Sequence, residues 1–149
     1  MPDIFNQISQ NSVLITAVIS WMIAQIMKVI LVFIINKKLD FGRIVGSGGM
    51  PSSHSSFVVS LAVATGLTSG FNSTVFGICA CFALVVMYDA AGVRRSAGQQ
   101  ARILNQLVDS WGRGNFEDTD KRLKELLGHT PMEVFAGAFL GIIVALLRH

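Results

Sequence analysis

Only three histidines occur in the 149 residues, and two of them stand in turns suited to holding an anion. His54 ends the run GSGGMPSSH, between two apolar stretches. His129 opens HTPME, ahead of another. Each turn reads as a helix start. Ser52 or Ser53 can cap the first, and Thr130, Pro131 and Glu133 supply N-cap, N1 and N3 of a capping box in the second. A helix start offers unpaired N–H groups and a partial positive charge, which together suit a phosphate. Arg94 and Arg95 add forked donors that match phosphate oxygens. Gly48 and Gly49 let backbone approach closely.

Two imidazoles beside one phosphate point to phosphoryl chemistry. A neutral ring can attack phosphorus and become a phospho-histidine. A second, protonated ring can give its proton to the leaving oxygen. A carboxylate bonded to the attacking ring would fix its tautomer, and Glu133, four residues after His129, is placed for this. Plainer roles compete. Glu133 can act only in the capping box, Ser55 and Ser56 can cap and solvate a helix start, and Arg94 and Arg95 can anchor at lipid head groups. His54, His129, Asp89 and Glu133 could also hold a divalent ion. The adjacent arginines favour an anion, so no metal and no cofactor is expected.

The elements that carry these groups are apolar. Hydrophobic residues make up 52% of the chain and charged ones 14%, against about a quarter charged in soluble domains. The length predicts one domain spanning residues 1–149. A net charge of +3 gives no reason to expect nucleic acid as a partner. Cys79 and Cys81 lie inside an apolar run and read as buried thiols. Four runs are candidate membrane spans: Val13 to Ile35, Phe57 to Phe71, Thr74 to Ala91, and Val134 to Leu147. The first lacks the flanks of a cleaved signal peptide and is expected to be retained. The last carries Gly137 and Gly141 at a spacing that permits close helix contact. In the polar stretch from Gly92 to Pro131, Ala101, Leu104, Leu107, Val108 and Trp111 predict an amphipathic helix, and DKRLKELL predicts a second short one.

Charge sets the orientation. Ten of the twelve Lys and Arg fall in two segments, Lys37 to Arg43 and Arg94 to Lys124. The positive-inside rule makes both cytoplasmic. His54, Asp89, Arg94, Arg95, His129 and Glu133 then collect at one membrane face, with Lys28 in the inner half of the first span. A charge at that depth costs at least about 2.5 kcal/mol on insertion scales, so Lys28 calls for a partner, and Asp89 is the natural one.

The order PSSH, then GHTPMEVFAG, resembles the type 2 phosphatidic acid phosphatase superfamily, which includes the vanadium haloperoxidases. GGMPSSHSS, MYDAAGVRRSAGQQA and LKELLGHTPMEV make the chain similar, over roughly residues 20 to 145, to the divergent branch of that superfamily. The resemblance implies His129 as nucleophile, Glu133 in place of an orienting aspartate, and His54 as general acid, with Ser53 where the superfamily has glycine. Two superfamily motifs are missing. Arg43 is not followed by proline and Lys28 lies fifteen residues before it, so there is no Lys-x6-Arg-Pro. No Ser-Arg pair precedes His129. Arg94 and Arg95 from the third span, with Arg43, Lys28 and Ser53, are the candidate phosphate ligands in their place.

The expectation is an all-α integral membrane bundle of four spans with cytoplasmic amphipathic helices, in a bacterial cytoplasmic membrane. It would hydrolyse a lipid-linked phosphomonoester or diphosphate, without metal, at the cytoplasmic face. A phosphate- or head-group-binding protein without turnover is the alternative, and an ion-coupled transporter component is a third reading. Four short spans are few to enclose a pocket, so a homodimer is one arrangement to test.

Overall fold

The computed structural model describes residues 2–37, 49–111 and 128–149. The elements are α1 (Pro2–Ser9), α2 (Ser12–Asn36), α3 (Ser53–Ser69), α4 (Thr74–Tyr88), a π-helical turn (Asp89–Val93), α5 (Arg94–Trp111) and α6 (Pro131–Arg148), with no strand among the described residues. The expected all-α membrane bundle is the observed architecture. Among the described residues, three helical stretches are long and apolar enough to cross a bilayer: Ser12–Ile34, Thr74–Leu107 and Pro131–Arg148. At 17 residues, α3 spans about 25 Å at 1.5 Å per residue. It is the centre of the bundle, packed on α2, α4 and α6, while α2 and α6 also meet.

The centre is made of small residues. Along α3, Ser53, Ser55, Ser56, Ser60, Ala62, Ala64, Thr65 and Gly66 are buried. Small side chains let neighbouring backbones approach, and lipid offers no competing hydrophobic drive between helices. The hydroxyls find partners, as buried polar groups must in hydrocarbon. Ser20 and Ser56 share a 2.6 Å bond between α2 and α3, and Thr65 donates to the Leu61 carbonyl. The outward surface is the reverse: Trp21, Phe33, Ile78, Phe82, Leu84, Phe135 and Phe139 are exposed. Large side chains outside and small ones inside is the arrangement for a helix bundle bathed in lipid.

Local sequence sets the ends. Asn11 caps α2 by accepting from the Leu14 N–H at 3.0 Å. Ser52, one of the two expected caps, caps α3. The Ser73 hydroxyl accepts from the Phe76 N–H and caps α4. At the far end from His54 and His129, the Arg148 Nε donates to the Thr16 hydroxyl at 3.1 Å, tying the end of α6 to the start of α2.

Two expectations change. The third span does not end at Ala91. It continues through the π turn, which contains Gly92, into α5 as one helical run. That run of 34 residues covers roughly 50 Å, more than the ~30 Å hydrocarbon thickness, so its polar end leaves the membrane. The amphipathic helix predicted in the polar stretch is therefore an extension of the third span rather than a separate element. Secondly, α1 was not expected. Ile4, Phe5 and Ile8 form one exposed apolar face on it. The short helix read at DKRLKELL lies outside the described residues.

Candidate active site

His129 is the anchor of the site. It precedes α6, whose capping box forms as the sequence predicts. Thr130 Oγ1 accepts from the Glu133 N–H at 3.3 Å, and Glu133 Oε2 accepts from the Thr130 N–H at 3.0 Å. The same Oε2 lies 3.1 Å from His129 Nδ1. Glu133 therefore serves both roles weighed for it, cap and histidine partner. His129 is only 4% exposed. A carboxylate at Nδ1 makes that nitrogen the proton carrier and leaves Nε2 as the basic one. Burial holds the ring below its ordinary pKa; the Glu133 hydrogen bond and charge oppose this, while Lys28 and Arg94 reinforce it.

A small cavity beside His129 is lined by His54, Val86, Asp89, Ala90, Arg94 and Gly128. Thus both imidazoles and one arginine, drawn from three parts of the chain, meet. His54 lies in the first turn of α3 and is exposed. The π turn contributes Asp89 and Ala90 and ends at Arg94. Such turns widen a helix locally and are frequent at functional sites.

Close backbone contacts hold these parts together. The Ser52 N–H donates to the Glu133 carbonyl at 3.0 Å, joining the start of α3 to the start of α6. A Cβ on Gly137 would collide with the Ser52 carbonyl oxygen, and one on Gly141 would lie 2.6 Å from that of Ser56. The glycine pair read from the sequence as a helix contact therefore seats α6 on the histidine-bearing end of α3. Gly128 lies against the Arg94–Arg95 backbone, where a Cβ would not fit. A glycine directly before the histidine was the available signal in the sequence.

The remaining candidates separate. Lys28 is 3% exposed, and the Gly49 turn passes over its stem: a Cβ there would be 3.4 Å from Lys28 Cγ. Its charge acts on both histidines. The expected Lys28–Asp89 pair is corrected. Asp89 accepts from Arg94 Nε at 2.7 Å, five residues on and within reach along the same helical run. Ser53 is buried at the α3 start. Arg95 is exposed and is not among the cavity residues. Arg43 lies outside the described residues. Among the described residues, no three His, Cys, Asp or Glu side chains form a group that could hold a metal ion.

These features define an α-helical integral membrane protein with a polar site at one end of its bundle, bounded by a carboxylate-bonded histidine, a second histidine and an arginine. Residues 9–144 match the Divergent PAP2 family, and the chain belongs to it. It is also similar to the uncharacterized membrane protein YuiD of Bacillus subtilis (strain 168), 42% identical over 146 residues, 91% of this chain and 92% of that protein. No solved structure matches.

Proposed function

We propose that the protein is a membrane phosphatase that hydrolyses a lipid-linked phosphomonoester or diphosphate through a phospho-histidine. The observation that carries this reading is the His129 Nδ1–Glu133 contact beside the cavity that His129 shares with His54 and Arg94. His129 Nε2 attacks phosphorus as the bond to the leaving oxygen breaks. His54, protonated, donates to that oxygen. Glu133 stabilises the positive ring that results. Water then attacks the phosphorus, His54 takes its proton, and the N–P bond breaks to release phosphate. Arg94 and Lys28 offset charge on the phosphoryl oxygens, with the N–H groups at the α3 start as further donors. Arg43, Arg95 and Ser53 are proposed only as outer contributors to anion binding. The basic segments favour the cytoplasmic face for the site.

Purified protein in detergent with EDTA, given phosphatidate, phosphatidylglycerophosphate and prenyl diphosphates in turn, tests this. Phosphate release that is lost in His129→Ala is the expected result. Release that persists in His129→Ala rules out the nucleophile. The Asp89–Arg94 pair supports a second reading, since it engages the one arginine among the described residues that line the cavity: a head-group binder without turnover. Saturable binding of these lipids with no release from any of them would select it.

A further inference from the structure

An apolar groove of about 550 Å³ lies between α4 and α6. Both helices pack on α3, so the space between their outer faces stays open. Leu84, Met87, Tyr88 and Ala91 form one wall, and Pro131 and Phe135 belong to the other. Leu84, Tyr88 and Phe135 are each at least 66% exposed, so the groove opens at the surface that faces lipid.

Its position separates it from ordinary lipid-facing surface. Met87, Tyr88 and Ala91 alternate along the helix with Val86, Asp89 and Ala90, which line the histidine cavity. Pro131 is two residues beyond His129. Polar cavity and apolar groove thus share the same turns of α4, the π turn and the start of α6. A molecule with phosphate beside His129 would have the first part of an attached hydrocarbon chain next to the groove. From Leu84 to Ala91 the wall runs seven residues, about 10 Å, or roughly the first third of the hydrocarbon core.

We propose that this groove seats the hydrocarbon chain of the phosphate-bearing lipid, next to its head group, so that substrate enters sideways from the membrane between α4 and α6. The inference rests on the phosphate-site reading above. The shared turns favour one occupant, a lipid whose own phosphate is held in the cavity, over a second copy of this chain.

The test is binding in nanodiscs. Phosphatidate with a photoreactive diazirine midway along one acyl chain is compared with diacylglycerol carrying the same label, and cross-links are mapped by mass spectrometry. The expected result is several-fold more label on residues 84–91 and 131–135 from phosphatidate. Leu84→Trp, which fills the groove from an exposed position, should abolish that excess and bring the two lipids to equal labelling. Ile78→Trp, exposed on the same helix outside the groove, should leave it unchanged. Equal labelling of the unsubstituted chain by the two lipids overturns the proposal. Absence of label from these segments with both lipids assigns the groove to a second copy of the chain and also overturns it. Because the readout is binding, the two readings fail separately. Phosphate-directed labelling without phosphate release sinks the hydrolase alone; release with undirected labelling sinks the groove alone.

Discussion

A single carboxylate oxygen, Glu133 Oε2, meets both the Thr130 N–H and His129 Nδ1. Glu133→Gln keeps the size of the side chain and part of the cap but loses the charge that stabilises a positive ring. We expect phosphate release to fall between about hundredfold and ten-thousandfold, the range for partners that orient a reacting or metal-bound histidine, with the helix retained by circular dichroism. The pH dependence follows from His129. Its pKa is lowered by burial, so the neutral, nucleophilic ring persists below the ordinary value of about 6.5. The acid limb of kcat/KM should therefore lie below that value, and in Glu133→Gln it should move lower still, because the partner that raises the pKa is gone. Stability has the same sign. Between the lowered pKa and the unfolded value, the unfolded chain binds a proton that the folded chain does not, so stability rises with pH through that window and is lost as pH falls. An acid limb at or above the ordinary value would exclude His129 as the group observed.

At the scale of elements, the capped turns were the most legible part of the sequence, because a cap is a local hydrogen bond between residues three apart. Ser52, Thr130, Pro131 and Glu133 behave as their spacing requires. The pairing of Asp89 with Arg94 rather than Lys28 was not legible. It depends on how α2 and the α4 run rotate about their axes, and no residue pattern encodes that directly. The continuity of α4 and α5 was also hidden, since Gly92 weakens a helix only on average. Glycine context yields a paired prediction. Gly137→Ala forces a methyl into the Ser52 carbonyl and should destabilise by about 1–3 kcal/mol, as overpacking does, while also displacing the α3 start and lowering phosphate release. Gly77, in the body of α4, has nothing within 4 Å, so Gly77→Ala should be neutral or stabilising by up to about 1 kcal/mol. Thermal unfolding in one detergent compares them; equal losses would contradict the packing described.

For the whole molecule, the bundle has two unlike ends. One holds both histidine turns with Arg94 and Arg95; the other holds the Gly70–Ser73 turn and the Thr16–Arg148 contact. If the basic end is cytoplasmic, a cysteine at Asn72 should react with an impermeant maleimide in intact cells, and one at Arg102 only after permeabilisation, in a background with Cys79 and Cys81 replaced. The reverse pattern would invert the site. The bond from the Ser52 N–H to the Glu133 carbonyl also bears on biosynthesis. It links an early stretch of chain to α6, a helix that the ribosome makes much later. Until α6 enters the bilayer, the first imidazole has no counterpart and its turn lacks a brace. Chains truncated before Pro131 should reach the membrane without an assembled phosphate pocket, so assembly of the site waits on α6.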